Sequence, residues 1–143
     1  MLLREMLPKG PNNPEILIEL MDPENEKLFE QRKGEVLISP LILSHILAHV
    51  ALRRDLYVVF EELFTIGGAE IYFRPAASYN VTDREITFRE IEKIVSLQGD
   101  IALGVRSSER SKDKTGGISL NPGRDSVWQL KDSDEIVVLT TYV

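Results

Sequence analysis

The chain has 143 residues, a formal net charge of −6 and a sequence pI of about 5.0. Its 43% hydrophobic and 28% charged residues fit one ordinary globular domain or two small lobes, and the acidic balance argues against a nucleic-acid binder, which would present a basic face. Disulfides, thiolate metal sites and cysteine nucleophiles are excluded because there is no cysteine.

No apolar run approaches the roughly 18–20 residues that a membrane helix needs, so direct membrane insertion of this chain is not expected. Arg4 and Glu5 likewise leave no room for a secretory apolar segment at the start.

In chain order, EILIEL (15–20) places Ile16, Leu17 and Ile18 in succession, as in strands buried on both faces. Asp22, Pro23 and Glu24 then suit a helix start, with Lys33 and Gly34 at its exit. A second apolar run, Val36 to Ile38, completes strand, helix, strand. Two parallel strands leave both edges open, so the unit is expected to be the end of a larger Rossmann-like sheet.

SPLILSHILAHVALRRD (39–55) reads as a helix capped by Ser39 with Pro40 behind it, and LYVVFEELF (56–64) as a second helix after Asp55. The first is apolar on more than one side, and a helix of that kind needs a partner on each. Gly67 and Gly68 end the helices, and EIYFRP follows as a strand with Ile71 and Phe73 on one face.

TFRE (87–90) is a capping box, and Phe88, Ile91, Ile94 and Val95 form a helical stripe up to Gly99. The alternation of Ile101, Leu103 and Val105 predicts a half-buried strand with all three side chains toward that stripe. SSERSKDKTGG (107–117) has no apolar anchor and is expected to be a mobile loop. Short strands over 118–121 and 135–141 complete a sheet with 69–74 and 101–106, and Trp128 is expected to close one end of its core.

This order of elements resembles the RCK (regulator of potassium conductance) domain. The likeness is carried by residues 15–64 and by TFREIEKIV, IALGVRS, ISLNP and LKDSDEIVVLTTY. Within that family, VVFEELFTIGGAEIYFRPA is most like the Castor/Pollux-type channels. The resemblance implies an α/β plus α+β fold: 1–38 as the C-terminal part of a Rossmann-like lobe, 39–65 as a crossover helix pair for dimerisation, and 66–143 as the small α+β C-terminal lobe.

It also implies a cytosolic gating domain on the cytoplasmic side of a membrane. That domain would form a homodimer or ring with itself, work with a membrane pore domain, and answer to a small ligand or cation. The glycine-rich nucleotide turn of the family is absent and no cofactor is assigned to this chain; a nucleotide or Ca2+ is left to the full-length protein. Other readings are a fragment of a Rossmann-type oxidoreductase or a free-standing small-molecule sensor.

The candidate dimer contacts are Leu43, Ile46, Leu47 and Val50. Arg106 and Asn121, near strand ends, are the candidate ligand contacts, with Arg124 nearby; an arginine there suits a phosphate or carboxylate ligand, the commoner alternative being a bond to nearby backbone or to a carboxylate of the chain itself. His45 and His49, one helical turn apart, could supply two metal ligands but lack a third, and otherwise rim the apolar interface. Asp55, Glu61 and Glu62 are a poor calcium set, because adjacent helical glutamates point apart. Asp132, Asp134 and Glu135 read as a polar hairpin end. No Ser/His/Asp set, nucleophile elbow or P-loop occurs, so no enzymatic activity is expected.

Overall fold

The computed structural model describes residues 17–25, 27, 36–111, 113 and 115–141. The apolar start of EILIEL and the expected helix exit at Lys33 and Gly34 lie outside them. The chain divides into two compact units, Met1–Tyr57 and Val58–Val143.

In the first unit, β1 (Ile18–Leu20) and β2 (Val36–Ile38) pair in parallel, Ile18 opposite Val36 and Leu20 opposite Ile38. The parallel pairing is the one the strand–helix–strand reading expected; most of the helix expected between the two strands lies outside the described residues. Asp22 makes a turn after β1, its carboxylate accepting from the Glu24 amide at 2.9 Å.

Helix α1 (Ser39–Leu52) follows β2 without a loop, with Pro40 in its first turn where a missing N–H costs nothing. Ser39 is not its cap. Ile38 occupies the N-cap with no side-chain bond, and the Ser39 hydroxyl donates to Glu19 at 2.5 Å, tying the helix start to β1. Because β2 runs straight into the helix, Ser39 is already helical and its hydroxyl turns to the carboxylate on the neighbouring strand. A short turn, with the Leu56 amide on the Arg53 carbonyl at 3.0 Å, leads into α2 (Leu56–Phe64).

The second unit is built on an antiparallel four-stranded sheet in the order β3 (Glu70–Pro75), β8 (Glu135–Thr140), β5 (Ile101–Arg106), β6 (Ile118–Leu120). The four expected strands therefore do form one sheet. Helix α3 (Phe88–Ser96) covers one face. Its capping box is formed: the Thr87 hydroxyl accepts from the Glu90 amide at 3.3 Å, and Glu90 accepts from the Thr87 amide at 2.8 Å. Phe88, Ile91 and Val95 are buried against Val105, Ile136 and Val138, with Ile94 and Trp128 packed at the margin.

The expected phase of β5 needs correction. Ala102 opposes Val138 and Gly104 opposes Val137, so Leu103 is an extra residue in a bulge. The bulge reverses the alternation: Ala102 and Val105 meet the core, while Ile101, opposite Leu139, is 59% exposed on the other face. A Cβ on Gly104 would overlap the Ser119 carbonyl, so glycine is what lets β6 approach at this point.

A second pair was not anticipated. β4 (Glu85–Thr87) and β7 (Val127–Gln129) are antiparallel, Ile86 opposite Trp128. Three residues each are too few to show a period. Trp128 stands on β7, half-buried against the core, its indole N–H donating to the Ser126 hydroxyl at 3.0 Å.

Ile91 and Ile101 are the same side chain in opposite settings. Ile91→Ala is expected to cost about 2–5 kcal/mol through an unfilled core, and Ile101→Ala no more than about 0.5 kcal/mol. Urea unfolding of the two variants measures both; comparable losses would place Ile101 in the core and contradict the bulge.

Candidate functional site

Helix α1 has no buried residue in this chain. Leu43 and Leu47 are 56% and 59% exposed, and Ile46 and Val50 between them are half-buried. With spacings of three and four residues, the four lie along one stripe. Leu41 and Ile42 extend the apolar surface at 48% and 43% exposure.

His45 and His49 are both exposed. Among the described residues no group of three or more His, Cys, Asp or Glu side chains is placed to hold a metal ion. Glu62 is engaged locally, its carboxylate accepting from the Ala69 amide at 3.3 Å ahead of β3.

Arg106 and Asn121 do not converge. Arg106 stands opposite Ile118 at one end of the β5–β6 pair, and Asn121 lies beyond Leu120 at the other, roughly 10 Å away at the rise of an extended strand. Arg106 reaches Glu135 at 3.1 Å, and its guanidinium lies over the Phe73 ring, 5.0 Å from the centroid. It thus bridges β8 and β3 on the uncovered sheet face. Asn121 turns the chain with φ 45°, its amide donating to the Leu103 carbonyl at 2.7 Å. An open cleft of about 280 Å3 is lined by Arg84, Glu90, Lys93, Ile94 and Leu97, and by neither candidate residue. Arg124 pairs with Glu92 at 3.2 Å.

Two buried carboxylates organise the second unit, and the sequence reading missed the part each plays. Asp100, 7% exposed, accepts from the Tyr79 hydroxyl at 2.5 Å and from the Thr140 hydroxyl, and lies 3.2 Å from the Arg74 guanidinium. Burial alone would raise its pKa, but those hydrogen bonds and the arginine outweigh it and hold it below the usual carboxylate range. Burial, together with the Asp100 carboxylate, pushes the Tyr79 hydroxyl up.

Asp134, 3% exposed, accepts from the Ser108 amide at 2.7 Å, the Ser108 hydroxyl at 2.8 Å and the Lys131 amide at 2.9 Å. These bonds likewise overcome burial and lower its pKa. The residue read as a polar hairpin end is therefore a clasp between two loops. Lys131 adds an ion pair to Glu109, and the Ser107 amide donates to the Gly117 carbonyl at 3.0 Å. The 107–117 segment, expected to lack anchors because it lacks apolar residues, has polar ones. Local polarity gave a signal for a buried aspartate only in the spacing Lys131-x-x-Asp134, where an Asp can bond backbone three residues away.

No protein-family profile matches the chain. It is 34% identical over 126 residues to a probable ion channel CASTOR of Oryza sativa subsp. japonica, covering 87% of this chain and 14% of that protein. It is 31% identical over 122 residues to the ion channel CASTOR of Lotus japonicus, covering 82% and 14%. It is 28% identical over 121 residues to the ion channel DMI1 of Medicago truncatula, covering 82% and 13%. The chain thus spans about a seventh of the length of the curated relatives it matches first.

The lowered pKa values of Asp100 and Asp134 fix the sign of an acid response. Their stabilisation is fully present above the ordinary carboxylate value near pH 4, and is lost as pH falls through their lower folded values. Denaturant unfolding measured against pH should be level above about pH 5 and fall steeply below about pH 4. Tyr79→Phe should cost about 1.5–3 kcal/mol at neutral pH by removing a donor from a buried charge. Asp134→Ala should flatten part of the acid limb and speed hydrogen exchange at the Ser108 and Lys131 amides. Unchanged exchange there would contradict the clasp.

Proposed function

The chain is a relative of one segment of the CASTOR and DMI1 ion channels, and on that premise we propose that it is an RCK-like regulatory domain of a cation channel, working on the cytoplasmic side of the membrane. The observation that carries this reading is likeness to channels over most of a chain in which no described helix is long and apolar enough to cross a membrane. On this reading the segment contributes control of the pore.

The parallel pair β1–β2 supports reading the first unit as the end of a Rossmann-like sheet completed by further strands of the longer protein. The stripe Leu43, Ile46, Leu47 and Val50 supports α1 as the dimer surface, since an exposed apolar stripe is stabilised when a second copy covers it. A ligand acts in this reading by binding one arrangement of the assembled domains better than another, which shifts the pore equilibrium without any bond-making step. Arg106 and Asn121 then mark two separate contact places, the open sheet face and the far end of β6.

Two experiments test this. Replacing the matched segment of rice CASTOR with this chain should give a channel whose opening still responds to its regulators, whereas deleting the segment should abolish the response. Equal responses from the chimera and the deletion would sink the regulatory reading. Separately, Leu47→Glu, which buries an unpaired charge in the proposed interface, should reduce the mass of the assembled chain at least twofold by light scattering. A mass indifferent to Leu47→Glu would remove α1 from the assembly.

A further inference from the structure

The two edges of the four-stranded sheet are unlike. β6 is three residues long, and short edge strands resist pairing with other chains. β3 is six residues long, with no lysine and no bulge, and its proline stands at the last position. β8 is its one strand neighbour among the described residues. On the uncovered face β3 carries Ile71 and Phe73, 55% and 40% exposed, and that face continues through Ile101 and Leu120, 59% and 63% exposed. Natural sheets guard long apolar edges with charge, proline or a bulge; here the charges and the proline, Glu70, Arg74 and Pro75, stand at the ends of the strand, and the run Ile71–Phe73 between them carries none.

The sequence of β3 is complementary to itself. In EIYFR (70–74) an acidic residue opens and a basic residue closes a run with Tyr72 at its centre. An antiparallel pair of two such strands, related by a two-fold axis at Tyr72, sets Glu70 opposite Arg74 of the other copy and Ile71 opposite Phe73. Opposite charges and aromatic–β-branched pairs placed directly across an antiparallel ladder both stabilise it. A shift by two residues in either direction keeps the faces aligned but puts Arg74 opposite Gly68 or Tyr72, so the charges favour this register alone. Glu70 and Arg74 lie on the core side of the strand at its rim. Within their own chain Glu70 accepts from the Gly67 amide at 3.3 Å and Arg74, its side chain 38% exposed, pairs with Asp100 at 3.2 Å. The cross-copy charge contact is shared with these, and the register rests equally on Ile71 opposite Phe73.

We propose that β3 is an edge-to-edge docking surface for a second copy of this chain, joining two sheets into one across a two-fold axis at Tyr72. This surface is distinct from the α1 stripe and does not rest on it. A two-fold pairing of identical edges is closed, so this contact by itself joins two copies and no more.

Site-specific cross-linking reads the register directly, because the chain has no cysteine of its own. Ile71→Cys and Phe73→Cys are made in separate chains of different mass, mixed, and oxidised at tens of micromolar. The mixed disulfide should form about a hundredfold faster than that between Leu120→Cys chains, since pairing raises the local thiol concentration into the millimolar range. It should also form when both chains carry Leu47→Glu. A mixed disulfide no faster than the Leu120→Cys control overturns the proposal. Should either cysteine variant fail to fold, Ile71→Lys decides: a charge on the edge should lower the assembled mass, and an unchanged mass overturns the pairing.

Discussion

The contact between α3 and one face of the antiparallel sheet is the interaction on which the second unit depends. A nine-residue helix is too short to hold itself in water. It persists because Phe88, Ile91 and Val95 find Val105, Ile136 and Val138 at matching spacing, and because the Thr87–Glu90 box holds its first turn. The sheet in turn needs the helix, since its core-side residues would otherwise face water. β8 is the strand through which both dependencies run, with β3 and β5 on its two sides.

Elements announced by a strong period or a backbone-specific motif were legible in the sequence. The capping box, the stripe of α3, the four strands of the sheet and the two short strands before α1 all follow from local pattern. What escaped depends on partners distant in the chain. The bulge at Leu103 exists because β5 must match β8, and alternation within β5 alone places Ile101 on the wrong face. β4 and β7 recognise one another across some forty residues, with too short a run on either side to register.

The polar sites were harder still. Arg106 and Asn121 look like neighbours because each ends a strand near a turn, but antiparallel pairing sends those two ends opposite ways. Asp134 looks like surface because its neighbours Asp132 and Ser133 are exposed; its burial comes from Ser108, which a reading of the turn alone cannot include. Asp100 is similar: Tyr79, Thr140 and Arg74, which make a buried charge tolerable, come from three separate segments. A buried carboxylate announces itself through its donors, and donors are a property of the fold.

The pairing of β3 with β8 sets Glu70 opposite Thr140 and Pro75 opposite Glu135. The strand that opens the sheet and the strand that closes it therefore enter and leave at the same end of one ladder. Tension applied between residues 69 and 141 would meet the hydrogen bonds of that ladder one after another, from Glu70–Thr140 inward, and never all together. Such a joint is soft along one direction of pull and stiff in the others. The clasp at Asp134 sits beyond the far end of the same ladder, where the Ala76 amide also donates to the Asp134 carbonyl at 2.9 Å, so a peeling β3 would reach it last. The lobe thus has a mechanical grain along this ladder, its hydrogen bonds loaded one at a time from the end where Asp100 holds Thr140 to the end where Asp134 holds Ala76.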